Sequence, residues 1–240
     1  MTITNSHPLQ IYHNMSGIIN KIKTKTKEAF EWLVSKAKAI FSRVETWIKR
    51  VRRHQSYIDE VLESTPIYTP EAPDIKLSEE IKARLNELVP TDMVEYLERL
   101  SPEERGQFIE QTLIPEIASL MGIEFDEFEW FQAERGLCGF YNYSQNKIAL
   151  NAVYLYSDSP KMLTMLLNTV IHECKHARQW AAVEGVDFGY SKEIIEKWRR
   201  NFEDYISCKE SDEAYAKQPI EFDASMFANT IYDENIIFQS

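Results

Sequence analysis

The stretch "PKMLTMLLNTVIHECKHARQWAAVEG", residues 160–185, decides how this chain is read. Met162, Leu163, Leu166, Leu167, Val170 and Ile171 recur at helical spacing and cover more than one side, which predicts a central helix running to about Glu184. Asp158 or Ser159 can cap its start, Pro160 suits its first turn, and Gly185 suits its C-terminal cap. Within it stand His172, Glu173 and His176. At about 100° per residue the two histidines lie about 40° apart, one turn along the same face. Two neutral imidazoles so placed can share one zinc ion and leave further coordination positions open. Glu173 stands beside that face, where a carboxylate can take a proton from water at the metal without being a ligand. Carrying two imidazoles and a carboxylate into a core helix is costly unless they are paired or coordinated. Surface decoration therefore explains them poorly.

The surroundings favour a mainly α (α+β) fold. Only seven glycines in 240 residues, with helical periodicity almost throughout, argue against a β-sandwich or a Gly-rich phosphate-binding architecture. Residues 1–64 read as a basic amphipathic helical arm: Ile22, Leu33, Ile40, Val44, Trp47, Val51, Ile58 and Leu62 share one face, and Phe30, Trp32, Phe41 and Ile48 widen it. Such an arm packs on the protein or on a partner helix, or else lies on an anionic membrane through residues 16–63. Residues 65–77 contain Pro66, Pro70 and Pro73 and read as a linker. Residues 78–122 read as a helical subdomain, with Ser78 as one cap and Ser101-Pro102-Glu103-Glu104 as a capping box; a bend is expected near Pro115 and a stop at Gly122. Within 123–240, Cys138–Tyr143 and Lys147–Asn151 form two short runs around a polar turn, which predicts a β-hairpin. A helix is expected over roughly 192–209 and another from Pro219.

Charge divides the chain. Residues 1–60 carry 11 Lys and Arg against 5 Asp and Glu, and the remainder carries 16 against 33. So acidic a body repels phosphates, which argues against a nucleic-acid substrate there. Cys138, Cys174 and Cys208 are odd in number and sparse, as suits a reducing compartment, and Cys174 reads as a small buried residue. The first 20 residues interrupt any apolar core with Asn, His, Pro and Gln, and the expectation is a cytoplasmic protein.

"TVIHECKHARQW" resembles the active-site helix of the HExxH zinc metallopeptidases, the zincins. That resemblance implies a zincin-like domain over 123–240, Zn2+ as cofactor, a peptide or protein substrate, and Glu173 as general base. No histidine follows His176, so a downstream carboxylate is the economical third ligand. "YAKQPIEFDASMFA", residues 215–228, is similar to the glutamate-bearing second helix of gluzincin-type domains and nominates Glu221. Asp223 stays open as a competing ligand, or as the acceptor of an imidazole N–H. Tyr215 is a candidate to stabilise the oxyanion, as a Tyr or His does in many zincins, or else a packed aromatic. The resemblance further implies that a strand such as "NKIALN" (146–151) pairs with an extended substrate. It covers roughly residues 136–230. A different class stays open beside the hydrolase: a catalytically silent zinc-containing module that binds or regulates through its basic N-terminal helix.

Overall fold

The computed structural model describes residues 8–134 and 136–232, with side chains of residues 8–20 and 22 outside the description. The chain divides into two compact units, residues 1–57 and 58–240. The first is the greater part of a single helix, α1 (Pro8–Glu63). Phe30, Phe41 and Trp47 are among the large apolar side chains of α1 that are exposed, whereas Tyr57, Ile58 and Val61 near its end are buried. The arm predicted over 1–64 is thus a helix, except for residues 1–7, which lie outside the described residues.

The second unit is built around one buried helix. In it follow α2 (Ala72–Leu88), α3 (Met93–Glu98), α4 (Pro102–Phe108), α5 (Ile114–Met121), β1 (Glu127–Phe131), β2 (Gly139–Asn142), β3 (Lys147–Asn151), α6 (Pro160–Val183), α7 (Lys192–Glu203), α8 (Asp212–Lys217) and α9 (Pro219–Ile231). The mainly α (α+β) class is what the structure has. No helix among the described residues is long and apolar enough to cross a membrane.

Local chemistry sets most boundaries. Ser101 Oγ accepts from the Glu104 N–H while the Glu104 carboxylate accepts from the Ser101 N–H, closing the expected capping box of α4. The bend expected near Pro115 is a π-helical turn, Ile109–Leu113, between α4 and α5. A proline cannot donate into the preceding turn, and a wider turn accommodates it. Gly122 ends α5 with φ 63°, a left-handed conformation that suits glycine. Ser191 and Ser211 cap α7 and α8. Three boundaries differ from expectation. α2 starts at Ala72, with Pro73 in its first turn, so half of the proline-rich stretch is helical. α7 stops at Glu203, and α8 is a separate short helix before Pro219.

The sheet has the order β1-β3-β2. β2 and β3 form the expected antiparallel hairpin, with Gly139 opposite Leu150 and Asn142 opposite Lys147. Asn146 adopts φ 46° in its turn, and Asn142 Oδ1 accepts from the N–H groups of Ser144 and Gln145. β1 adds in parallel on the other side of β3, Glu127 opposite Lys147. Phe128 and Trp130 of β1 are half-buried against the core, while Glu127 and Glu129 alternate with them on the exposed face.

α6 packs against α9, α7, α5, α3 and β2. Leu163, Leu166, Val170, Ile171 and Cys174 on it are fully buried, in one core with Ile81 of α2, Ile117 of α5, Leu150 of β3 and Phe227 of α9. Residues 78–122 and 123–240 therefore share a core, because α3 and α5 bury their apolar faces on α6 while α2 packs on α5 and α9. The last turn of α1 belongs to this unit as well: Glu60 pairs with Arg200 of α7 at 2.6 Å, and Lys217 donates to the Leu62 carbonyl.

Candidate metal centre

α6 and α9 cross so that one atom from each of His172, His176 and Glu221 converges, all within 4.8 Å of one another. His172 Nε2 lies 2.9 Å from His176 Nε2 and 3.2 Å from Glu221 Oε2, and His176 Nε2 lies 3.4 Å from Glu221 Oε2. Zinc held tetrahedrally at about 2.0–2.1 Å needs ligand atoms separated by about 3.3 Å, so this triangle has the size and donor chemistry for that ion. The histidines are separated by one helical turn, as their spacing requires. Glu221 reaches them because Pro219 starts α9 and leaves Glu221 in its first turn, nearly fully buried.

Burial works against a charge on His176, but Glu221 and Glu173 beside it raise its pKa to about 9. Burial likewise opposes ionisation of Glu221, yet the imidazoles of His176 and His172 hold it well below the usual carboxylate range. His176 and Glu221 thus stabilise each other's charge, and a metal cation bound between them would take the place of the imidazolium proton. Glu173 is buried, lines the same pocket, and accepts from the Tyr141 N–H. Burial pushes its carboxyl above the ordinary value despite the opposing charges of the histidines.

Each donor is oriented by a neighbour. Gln179 Oε1 lies 2.8 Å from His176 Nδ1, so it accepts that N–H and leaves Nε2 facing the other donors. Gln179 Nε2 in turn donates to the Ile220 carbonyl and, at 2.7 Å, to Asp223. Asp223 therefore supports the site one step further out than expected: Gln179, one turn beyond His176, intervenes between it and the imidazole. Ser225 Oγ lies 3.4 Å from His172 Nδ1. Tyr205 donates to Glu221 Oε1 at 2.8 Å, leaving Oε2 toward the histidines.

Tyr215 lines the pocket with its ring centroid 6.3 Å from that of Tyr205. Burial, and then Glu221 and Glu173, push its hydroxyl above the ordinary range, so it stays a neutral donor. Tyr205 and Gln179 escaped the sequence reading. Gln179 was findable by its helical register with His176; Tyr205 lies in the irregular segment after α7 and carries no local signal. Cys174 is fully buried, as a small core residue should be.

The pocket over the site has a volume of about 250 Å³. Phe140, Tyr143, Phe202, Tyr205 and Tyr215 are among the aromatic residues of its wall, and Glu173 and Glu221 are the acids in it; no Lys or Arg is among the described lining residues. One strand expectation is corrected. β3, which holds "NKIALN", is the central strand and is paired on both sides, so the strand lining the pocket from the sheet edge is β2. Gly139 makes this approach possible: a Cβ there would stand 2.7 Å from Thr169 Cγ2 of α6 and 2.9 Å from the Ala149 carbonyl oxygen. The chain matches no family model, no curated protein and no solved structure.

Proposed function

We propose that this protein is a zinc-dependent hydrolase of peptide bonds, with His172, His176 and Glu221 holding the metal and Glu173 as general base. The single observation that carries this is the convergence of two Nε2 atoms and one carboxylate oxygen beside a second, buried carboxylate, that of Glu173, which is not part of the triangle. A site meant only to hold structure closes with a fourth protein ligand and has no use for Glu173. When bound, zinc supplies Lewis acidity, polarising the scissile carbonyl and making water acidic.

The protein's own residues do the remainder. Glu173, its carboxyl raised by burial, takes the proton of the attacking water and delivers it to the departing amine. Gln179 and Ser225 fix the faces that His176 and His172 present, and Tyr205 fixes Glu221. Tyr215 is the candidate donor to the oxygen that gains charge as the carbonyl is attacked. An extended peptide pairs along the edge of β2, through backbone groups that make little demand on its side chains. The aromatic wall without Lys or Arg suits a peptide and disfavours a phosphate-bearing substrate.

Metal analysis of protein purified without chelator tests this, combined with cleavage of a peptide library. About one zinc per chain is expected; Glu173→Gln keeps the metal and loses cleavage, whereas His172→Ala loses both. Protein that carries no zinc, and takes none up, refutes the proposal. Zinc bound without cleavage by the wild type transfers the site to the silent binding module.

A further inference from the structure

The exposed face of α1 is not used by the chemistry above. At about 100° per residue, Phe30, Ile40, Phe41, Val44, Trp47 and Val51 fall within an arc of about 120°. All six are exposed, Phe41 to 74% and Trp47 to 64%. Contiguous apolar surface of this kind on a folded chain marks an interaction site. Lys36, Arg43 and Arg50 follow one margin of the arc, and Lys38 and Arg52 the other, each within about 60° of its edge; Glu45, the one acid on these margins, is paired with Lys49 at 2.9 Å. Trp32 stands beyond the margin that carries Lys36, whose ammonium lies 5.6 Å from the indole centroid. Between Lys21 and Arg53 there are eleven Lys and Arg against three Glu.

What covers such a face is decided by its charge. A second copy laid face to face would align like-charged margins, where paired helices need opposite charges. A spanning orientation is excluded, since no helix among the described residues is apolar enough. A bilayer surface rich in acidic phospholipid satisfies both features together: aromatic and aliphatic groups enter the boundary between headgroups and acyl chains, and the flanking cations meet phosphates.

We propose that the Phe30–Val51 face of α1 docks in the plane of an anionic phospholipid bilayer. This holds independently of the metal centre.

The test is sedimentation of the full chain with vesicles of phosphatidylcholine, alone or with about 30% phosphatidylserine. Binding is expected to the anionic vesicles and to weaken as salt is raised. Lys36→Glu, Arg43→Glu and Arg50→Glu together should lower partitioning roughly a hundredfold, about fivefold per lost cation. Phe41→Ser with Trp47→Ser should abolish binding even at low salt. Both sets should leave the thermal unfolding of the 58–240 unit unchanged, since the altered side chains are solvent-exposed. Equal binding to neutral vesicles, or none to either kind, overturns the proposal. So does self-association or capture of a protein partner that needs Phe41 and Trp47 while vesicles are ignored.

Discussion

Replacing Lys175 by Met removes a charge from the centre of the second unit. Lys175 is fully buried; its Nζ lies 2.7 Å from Asp74 Oδ1 of α2, 3.3 Å from Asp223 Oδ2 of α9 and 3.1 Å from the Tyr190 hydroxyl. Burial opposes its charge, but Asp223, Tyr190 and Asp74 hold its pKa above the ordinary lysine value, so it stays protonated at neutral pH. The rings of Phe227, Tyr190 and Trp198 surround the ammonium at 4.8–5.3 Å. Methionine fills a similar volume but leaves Asp74 and Asp223 without a cation in direct contact, Arg178 reaching Asp74 only through the Tyr190 hydroxyl. Asp74 keeps the Tyr190 hydroxyl at 2.6 Å and Asp223 keeps Gln179 at 2.7 Å, which soften the loss without supplying charge. Breaking a buried pair in this way costs about 3–5 kcal/mol, a large part of a typical total of about 5–15 kcal/mol. Asp74→Asn in the Lys175→Met background removes one of the stranded carboxylates. The double variant should therefore be more stable than the summed single losses by about 1.5–3 kcal/mol. Urea unfolding followed by tryptophan fluorescence, at one fixed zinc concentration, measures all four corners of the cycle. A Lys175→Met loss under about 1 kcal/mol, or strict additivity, would refute the picture of Lys175 as the charged tie between α2, α6 and α9.

Gln179→Leu should weaken zinc binding about 10–100-fold, measured by chelator competition, because the His176 imidazole loses the acceptor that fixes its tautomer; unchanged affinity would show that Gln179 only packs. Zinc affinity should also rise with pH. His176, raised to about 9 in the metal-free protein, carries a proton below that pH which must leave when the metal binds, so affinity increases about tenfold per unit and levels off above about pH 9. A flat profile between about pH 7 and 9 would contradict this assignment. Gly139→Val should lose stability and displace β2 from α6, since its Cβ meets Thr169 and the Ala149 carbonyl; denaturant midpoints equal to wild type would contradict the close approach.

What the sequence determined by itself is what depends on neighbours a few residues away. The period of α6, the capping box at Ser101 and Glu104, the left-handed stop at Gly122 and the β2–β3 hairpin all follow from local hydrogen bonding and apolar spacing. One helical turn suffices to bring His172 and His176 together. What tertiary structure decided lies between distant segments. Glu221 is 49 positions from His172, and only the packing of α9 on α6 brings its carboxylate to the imidazole. Tyr205 reaches Glu221 from an irregular segment, and Asp74 reaches Lys175 across 101 positions. The same holds for the sheet. The hairpin was legible, but which of its strands keeps an edge depended on β1 pairing in parallel with β3, a contact made across some 20 residues and settled by what each face can bury. Local periodicity tells a residue which face it occupies, whereas the partner it meets there is chosen by the packing of the whole unit.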